Sequence, residues 1–391
     1  MSSILIIELN WETFTGLLMK TLQLGKFYPP FHGGMETVLK DLCRGLSNLS
    51  NNKVTVLCAE HSKKASSKID QKVSVIRLKS LAVLFSQPLM PKYYFELRKL
   101  LKSTDVVHLH APHPLAEICL TLANPKCPII ITHHSDVIRQ KFLAPLHTFL
   151  VSFLYRRADA IVVPTTNHVN TSKILGRFAH KCRCIPFALN TNSLTPPDKF
   201  RVSSNAEKPY FLFVGRLVGY KGVDVLLNAF TKVNESFNLK IIGTGPLKDE
   251  LKVLTRNLNL EDRVEFLGRV DSNEDFSRYY AESTALVLPS VSSNENFGMV
   301  QLEAMYYSKP IVATNLQSGV PAVAEPGVSS LLAEPGDPSS LSKSMNELAN
   351  DENKVLKMGM AARLRYEKLY QLDTFINEHQ KLYNELLKKS I

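Results

Sequence analysis

Two kinds of hydrophobic pattern alternate along this chain. Short runs of aliphatic and β-branched residues predict buried strands, and longer segments with an apolar residue at every third or fourth position predict helices between them. In the first half the predicted strands are Thr21–Gly25, Lys53–Cys58, Val73–Leu78, Asp105–His110, Ile129–Thr132, Ala160–Pro164 and Arg183–Pro186. The predicted helices are Glu36–Leu49, Tyr93–Lys102, Pro114–Ala123, Leu143–Arg157 and Asn167–Leu175. This βα repetition predicts a parallel sheet covered by helices on both faces.

The same alternation returns after an irregular segment, Asn192–Lys208, whose two prolines Pro196-Pro197 are typical of an interdomain linker. The predicted strands that follow are Tyr210–Val214, Leu239–Ile242, Val264–Leu267, Thr284–Leu288, Ile311–Thr314 and Ser330–Leu332. The predicted helices are Val223–Val233, Lys248–Asn257, Asp275–Ala281, Gly298–Tyr307, Ser339–Asn350 and Glu352–Tyr370. We therefore expect an α/β protein with domains at 19–200 and 201–371, followed by an amphipathic stretch at Thr374–Lys388.

Length and charge agree with this division. The 391 residues suffice for about two domains. The net charge of +11 is uneven, because residues 19–200 carry +15 and residues 201–391 carry −2. A basic domain indicates an anionic partner such as nucleic acid, anionic lipid or a phosphorylated substrate, although it can also be a solubilising surface. The aromatic-interleaved patterns of nucleic-acid-binding modules are absent, so we expect no nucleic acid.

Cysteine usage and hydropathy indicate a cytoplasmic protein. All six cysteines lie in the first half, and we interpret them as small core residues because they lack zinc-ligand spacing. No run approaches the ~18 apolar residues of a membrane span. Residues 1–18 make a poor signal peptide, since they have no basic start and an early Glu8. We expect them to be a mis-called start or a disordered extension, whose deletion leaves folding and activity unchanged.

Two glutamates, Glu295 and Glu303, stand eight positions apart across a predicted loop-to-helix junction. Glu295 falls in the loop after a strand, and Glu303 is expected about two turns into the helix that Gly298 opens. Ligands of open α/β sheets bind beyond the strand ends, and the amides of Gly298 and Met299 could hold a phosphate there. The simpler interpretation is that both glutamates are solvated surface charges.

A second site follows the strand Tyr210–Val214. Arg216 and Lys221 flank a glycine-containing turn just before a predicted helix. Two fixed cations beside a strand end and a helix N-terminus suit a diphosphate, although each could be an ordinary surface residue. His133 and His134 end another strand, where a histidine is often structural, and His108 and His110 could line the same cleft.

Taken in order, these pieces resemble a family 4 glycosyltransferase with the GT-B fold, which has two Rossmann-like βα domains facing each other across a cleft. The matching segments are Tyr28–Glu36, Thr132–Asp136, Gly215–Gly222, Gly243–Pro246 and the Glu295/Glu303 pair. The resemblance runs from about Met19 to the end of the chain. It implies that the C-terminal helix, residues 372–391, packs back on the first domain.

The resemblance also implies roles for individual residues. Glu303 would accept hydrogen bonds from the donor ribose, Glu295 would lie by the sugar hydroxyls, and His134 would project toward the transferred sugar, with His133 as a competitor. Asp136 would touch the acceptor or the sugar. The residues expected beside the sugar or the phosphates are Phe297, Gly298, Met299, Arg216, Lys221, Gly33 and Gly34. Those expected to contact the base are Gly243, Gly245, Arg269 and Val270. The group assigned to catalysis is Glu295, His134, Arg216 and Lys221.

The implied activity is retaining transfer of a hexose from a nucleotide-diphosphate sugar to a lipid-linked or glycan acceptor. Segments at 134–141 and 314–321 are similar to mannosyltransferases of bacterial surface polysaccharides, which favours GDP-mannose over a UDP-sugar. No Asp-x-Asp motif occurs, so we expect no metal. A sugar-nucleotide epimerase on the same fold is the main alternative, and a glycoside hydrolase or a non-catalytic module fits the cations less well. The basic first domain would place the enzyme peripherally on the inner face of the cell membrane, through Pro91–Lys102 and Phe142–Arg157.

Overall fold

A computed structural model of the protein describes residues 18–31, 33–60, 66–84, 87–135, 144–172, 174–200 and 208–389. Its contacts divide the chain into two compact units. Unit 1 contains the chain up to His133 together with Gln140–Val162 and Ile376–Ile391. Unit 2 contains His134–Arg139 and Val163–Phe375. Asp136 and residues 1–17 lie outside the described residues.

The described elements alternate between strand and helix through most of the chain. The strands are β1 Met19–Leu24, β2 Asn52–Glu60, β3 Ser66–Asp70, β4 Val73–Lys79, β5 Ala82–Leu84, β6 Gln87–Leu89, β7 Val106–Ala111, β8 Ile129–His133, β9 Ala160–Val163, β10 Cys182–Cys184, β11 Tyr210–Val214, β12 Asn238–Ile242, β13 Val264–Gly268, β14 Ala285–Leu288, β15 Ile311–Thr314 and β16 Ser330–Ala333. The helices are α1 Gly34–Asn48, α2 Tyr93–Leu101, α3 Pro114–Ala123, α4 Ala144–Arg157, α5 Thr166–Thr171, α6 Val223–Phe230, α7 Lys248–Asn257, α8 Asn273–Glu282, α9 Val300–Tyr306, α10 Val320–Val323, α11 Pro338–Ala349, α12 Glu352–Leu369 and α13 Leu372–Lys389.

One sheet has eight strands in the order β10-β9-β8-β7-β1-β2-β4-β3. The predicted parallel arrangement holds from β9 to β4, whereas β3 runs antiparallel to β4. The sequence analysis missed β3 because its residues are mostly polar and exposed. A tight turn with Gln71 at φ 55° joins it to β4, which is the left-handed conformation that short hairpins require.

The sheet of unit 2 is parallel throughout, in the order β13-β12-β11-β14-β15-β16. Each residue of β11 is buried, because helices cover both faces. Phe211, Phe213, Leu226, Phe230 and Leu239 form the centre of one core cluster. The strand order reverses between β11 and β14, so the carboxyl ends of these two neighbours form the crevice where open α/β sheets bind ligands.

Local capping explains several helix starts in unit 2. Ser272 accepts from the Asp275 amide at α8, Asp337 accepts from two amides at α11, and Asp351 accepts from the Lys354 amide at α12. The helix expected from Gly298 begins at Val300 instead, because Gly298 has a φ of 72° and is not helical. Glu303 is therefore in the first turn of α9 and not two turns into it.

A buried polar cluster in unit 1 corrects the prediction that His108 and His110 line a cleft. Both side chains are fully buried between the sheet and α13. The Tyr383 hydroxyl lies 2.5 Å from Nδ1 of His108 and accepts from the Gln23 amide at 3.0 Å, and Nε2 of His110 lies 3.2 Å from Oε1 of Gln23. His108 and Gln23 thus connect the sheet to Tyr383 of α13, and burial lowers the pKa of His110 to about 3.

The cysteines and the helices can be compared with what the sequence predicts. Cys43, Cys58 and Cys119 are buried as core residues, but Cys184 is exposed on a short strand. Among the helices of the described residues, none combines the length and the apolar character needed to cross a bilayer.

Candidate functional site

Lys221 and Glu295 meet at the crevice where the strand order of unit 2 reverses. Lys221 follows β11 and Glu295 follows β14, and these strands are parallel neighbours. Nζ of Lys221 lies 2.5 Å from Oε2 of Glu295, and each side chain is only 10% exposed. The Ser290 hydroxyl donates to the same carboxylate oxygen at 3.1 Å. Glu295 is therefore not a solvated surface charge, and Lys221 is not an ordinary surface residue.

The turn that carries Lys221 depends on close backbone approaches. The Gly215 amide bonds the Ile242 carbonyl at 3.0 Å, and the Leu217 amide bonds the Thr244 carbonyl at 3.0 Å. Gly222 has a φ of 65°, and a Cβ there would lie 2.2 Å from the Pro289 carbonyl oxygen. Only glycine combines this conformation with this approach, so the turn is fixed against the end of β14.

Gly243 and Gly245 pack against the same turn. A Cβ at Gly243 would lie 1.8 Å from the Gly215 carbonyl oxygen, and one at Gly245 would lie 2.2 Å from that of Leu217. These glycines therefore have a packing role, and their predicted contact with the base stays a prediction. Arg216, on this turn, is exposed.

Glu303 lies beside a buried tyrosine of a neighbouring helix. The Tyr280 hydroxyl donates a hydrogen bond to Oε2 of Glu303. Burial raises the pKa of the Glu303 carboxyl to about 7, and the bond from Tyr280 opposes that rise. Burial and the neighbouring carboxylate both raise the pKa of Tyr280, so its phenol stays protonated and donates.

The loop between Glu295 and Glu303 is anchored by aromatic packing. Phe297 is buried against Phe187, with ring centroids 5.1 Å apart. The His134 ring stacks on the same Phe187 ring, with centroids 5.0 Å apart. The structure therefore links His134 to the Glu295 loop within unit 2.

Gly298 and Met299 connect this loop to α9. A Cβ at Gly298 would lie 2.7 Å from Cδ2 of Leu288, and Met299 caps the helix. Their amides precede α9 and are not part of its first turn, and their contact with phosphate stays a prediction.

His133 has a different environment from His134. It is buried in unit 1, and its Nδ1 lies 2.8 Å from the Tyr155 hydroxyl. The structure gives the two histidines different neighbours, and the assignment of His134 to the transferred sugar stays a prediction.

Gly33 and Gly34 stand at the start of α1 in unit 1, as predicted for a helix N-terminus. A Cβ at Gly33 would lie 2.2 Å from Oε2 of Glu36, whereas Gly34 faces open space. The Glu36 carboxyl thus lies beside the amides expected to approach phosphate, and burial raises the pKa of that carboxyl.

Arg269 and Val270 follow β13. Nε of Arg269 lies 2.6 Å from Oδ1 of Asp271, and both side chains are largely exposed. Val270 is partly buried. Neither side chain contacts the Lys221–Glu295 pair in the described contacts, and their role toward a base stays a prediction.

Three site residues escaped the sequence analysis: Tyr280, Ser290 and Phe187. Tyr280 lies on α8 with an apolar periodicity typical of a core position, so its hydroxyl gave no separate signal. Ser290 lies just beyond the predicted strand Thr284–Leu288, where a serine gives no signal of its own. Phe187 lies outside any regular element.

Comparison with known proteins gives two family matches that together span most of the chain. Residues 32–193 match the model described as glycosyltransferase family 4, and residues 195–365 match that of glycosyl transferases group 1.

Relatives and a solved structure agree with these matches. The chain is 32% identical to the D-rhamnosyltransferase WbpZ of Pseudomonas aeruginosa over 70% of this chain and 72% of that protein. It is 28% identical to the O-antigen chain mannosyltransferase C of Escherichia coli, over 95% of this chain and 99% of that protein. The crystal structure of Anabaena Alr3699/HepE in complex with UDP superposes with a TM-score of 0.75 at 20% identity, covering 94% of this chain and 100% of that one.

Proposed function

Because the chain belongs to the family 4 glycosyltransferases of the GT-B fold, we propose that it is a retaining hexosyltransferase of cell-surface polysaccharide synthesis. The donor is a nucleotide-diphosphate sugar, with GDP-mannose favoured, and the acceptor is a lipid-linked or oligosaccharide glycan. The observation that carries this proposal is the buried Lys221–Glu295 pair at the crevice between β11 and β14.

The pair suits the charge changes of sugar transfer. When the bond between C1 and the diphosphate breaks, negative charge grows on the leaving oxygen, and the Lys221 ammonium stabilises it at a position fixed by Glu295. Arg216, exposed on the same turn, adds a second cation. The acceptor oxygen bonds C1 from the face that the diphosphate leaves, and its proton passes to the departing phosphate oxygen. The configuration at C1 is thereby retained, and the mechanism needs no metal.

The choice of sugar rests on the relatives. The E. coli protein aligned along nearly its whole length is named an O-antigen chain mannosyltransferase, which favours mannose. The structurally similar HepE was crystallised with UDP, so a UDP-sugar is the second candidate.

A nucleotide-sugar panel tests the proposal. Purified protein is incubated with GDP-mannose, UDP-glucose and UDP-N-acetylglucosamine, each with and without lipid-diphosphate-linked glycans, and products are read by mass spectrometry. We expect one hexose added to an acceptor and no change of donor without acceptor. Conversion of free donor to its epimer would identify an epimerase, and no transfer from any donor would contradict the proposal.

A membrane-facing surface on unit 1 would bring the enzyme to a lipid-linked acceptor. On α2, Tyr93 and Leu97 are buried, while Phe95 is 73% exposed. Basic residues three, four or seven positions from Phe95 are also exposed: Lys92, Arg98, Lys99 and Lys102. Each basic residue near an anionic leaflet contributes ~1 kcal/mol, and Phe95 could insert shallowly. The second predicted stretch supports this less, because Leu154 is buried and residues 142–143 lie outside the described residues.

Liposome co-sedimentation tests this surface. We expect binding to anionic but not neutral vesicles, weakened by salt and by Lys99→Glu with Lys102→Glu. The matched control is Lys252→Glu with Arg256→Glu on α7, which changes the charge equally on exposed positions of unit 2. Equal binding to anionic and neutral vesicles, or an equal loss of vesicle binding in the two double variants, would contradict a membrane-facing surface on α2.

A further inference from the structure

Tyr280 and Glu303 form an isolated polar contact in the packing of α8 against α9. Tyr280 is completely buried, and its ring packs against Phe276 and stacks on Tyr307 with centroids 5.9 Å apart. These contacts fix the direction of its hydroxyl, which donates to Oε2 of Glu303. A tyrosine needed only for packing could be phenylalanine, so the buried hydroxyl requires its own explanation.

The other oxygen of Glu303, Oε1, accepts no side-chain hydrogen bond within the described residues. Within the described residues, Tyr280 is the side-chain hydrogen-bond partner of the Glu303 carboxyl, and it engages Oε2 alone. Glu303 itself is only partly buried. Oε1 can therefore accept hydrogen bonds from a ligand, and an ionised carboxylate accepts them about twice as strongly as a neutral group.

We propose that Tyr280 is a positioning residue of the donor site, whose hydroxyl holds the Glu303 carboxylate in the orientation and charge state in which Oε1 binds the ribose hydroxyls of the nucleotide sugar. This inference rests on the proposed function, because it takes the ribose as the ligand of Glu303. Tyr280 acts through Glu303 and does not itself touch the nucleotide.

The charge state follows from two opposing effects. Burial raises the pKa of Glu303 to about 7, and the hydrogen bond from Tyr280 lowers it. The carboxylate form dominates above the pKa, so nucleotide affinity should rise as the pH rises through 7. Removal of the hydroxyl raises the pKa further, and the rise in affinity then moves to higher pH.

Three other titratable groups near α8 and α9 are Tyr307, Arg363 and Lys309. Tyr307 donates to the Thr195 carbonyl oxygen at 2.8 Å and has a pKa raised to about 12 by burial. Arg363 of α12 is bound to Glu367 and to the Tyr306 carbonyl. Lys309 follows α9, and burial lowers its pKa to about 8 against the opposing charge of Glu282. Lys309 could titrate in the same range, so the test needs a variant in which Glu303 cannot ionise.

The test measures the affinity of GDP and of UDP by calorimetry from pH 6 to pH 9. The proteins are the wild type, Tyr280→Phe, Tyr307→Phe, Glu303→Gln and the double variant Tyr280→Phe with Glu303→Gln. Tyr307→Phe is the matched control, because it removes a hydroxyl from the stacked ring and leaves the hydrogen bond between Tyr280 and Glu303 in place. Thermal melts establish that each variant is folded.

For Tyr280→Phe we expect about tenfold weaker binding at pH 7, which narrows to near the wild-type affinity at pH 9. The KM of this variant for the donor should exceed that of the wild type near pH 7 and approach it at pH 9, with little change in kcat. Tyr307→Phe should follow the wild-type profile. Glu303→Gln should bind weakly without the rise through pH 7, and the double variant should match it.

The outcomes separate this inference from the proposed function. If neither nucleotide binds the wild type, the proposed function fails. If a nucleotide binds and Tyr280→Phe follows the wild-type profile, or loses affinity equally at every pH, Tyr280 is not a positioning residue. A further loss in the double variant beyond Glu303→Gln would also reject it.

Discussion

At the residue scale, burying the Lys221–Glu295 pair costs solvation free energy. Two charges removed from water lose solvation that their mutual attraction only partly restores, and apolar residues of similar size often stabilise a core better. The pair also stands at the one strand reversal of the unit 2 sheet. A role in binding and chemistry explains its position better than a contribution to stability.

The ion pair makes the two single substitutions differ in their effect on nucleotide binding. Glu295→Ala should lower turnover sharply while nucleoside diphosphate binding is kept or tightened, because Lys221 then has the phosphates as its counter-charge. Lys221→Ala should lower both turnover and nucleoside diphosphate affinity by about 10²-fold, because the diphosphate loses a cation and meets an unpaired carboxylate. Turnover and calorimetric affinity, measured for both variants, check this.

A second pair on the same sheet serves as control. Lys240 and Glu265 lie 4.0 Å apart on β12 and β13. Glu265→Ala should leave affinity and turnover within about twofold of the wild type, because Glu265 is exposed and substitutions at exposed positions usually have small effects. Lys240 is largely buried against the Tyr210 and Tyr279 rings and is therefore left unchanged. Near-wild-type turnover of Glu295→Ala would remove Glu295 from the site.

Residue roles were only partly predictable from the sequence. The sequence could mark Lys221 and Glu295 because each follows a strand of a βα unit. It could not pair them, since pairing depends on the adjacency of β11 and β14, which are 70 residues apart in the chain. It also could not show that His133 at the end of β8 lies against the Tyr155 hydroxyl of α4, because the two residues belong to different elements.

At the element scale, two of the three glycines in the turn between β11 and α6 have contrasting surroundings. Gly222→Ala places a Cβ 2.2 Å from the Pro289 carbonyl oxygen at a φ of 65°, so we expect a loss of about 1–3 kcal/mol of stability and lower turnover. Gly219→Ala meets nothing within 4 Å and should be nearly neutral. Chemical denaturation and turnover of both variants measure the difference. Equal stability of the two would show that the turn is not fixed against β14.

The attachment of α13 to the sheet of unit 1 gives a prediction about stability. Tyr383→Phe removes the hydroxyl that accepts from Gln23 and lies 2.5 Å from Nδ1 of His108, all in a buried cluster. We expect a loss of about 1–3 kcal/mol, because the remaining polar groups stay unsatisfied. The control is Tyr94→Phe, on the partly exposed face of α2. An unchanged free energy of unfolding for Tyr383→Phe would contradict this arrangement.

The sequence predicts elements where hydrophobic periodicity is strong and fails where backbone geometry decides. It placed α7 at Lys248–Asn257 and β11 at Tyr210–Val214 correctly. It missed the polar strand β3, whose pairing with β4 comes from the backbone alone. It started α9 two residues early, because glycine in the left-handed region ends the loop before the helix begins.

At the scale of the whole molecule, the family and the GT-B fold could be predicted from the order of the motifs. The details of the donor site could not, because the ion pair and the Tyr280 contact join segments distant in the sequence. The uneven charge, +15 against −2, is visible in the sequence, but the exposure of Phe95 beside basic residues of α2 requires the structure.

The account also predicts that transfer does not depend on a bound metal. In the proposed mechanism Lys221 and Arg216 supply the positive charge that the leaving diphosphate needs, so addition of EDTA should change the rate by less than about twofold. Initial rates with EDTA, and after dialysis and return of Mg²⁺ or Mn²⁺, measure this. Abolition of transfer by EDTA and its rescue by one of these ions would show that the metal-free mechanism is wrong.

The most direct test of the central claim is a crystal structure of the protein with the nucleoside diphosphate that binds it. We predict the diphosphate within hydrogen-bond distance of Lys221 Nζ and the ribose hydroxyls within hydrogen-bond distance of Glu303, at the carboxyl ends of β11 and β14. A nucleotide bound elsewhere, with the Lys221–Glu295 pair untouched, would contradict the account.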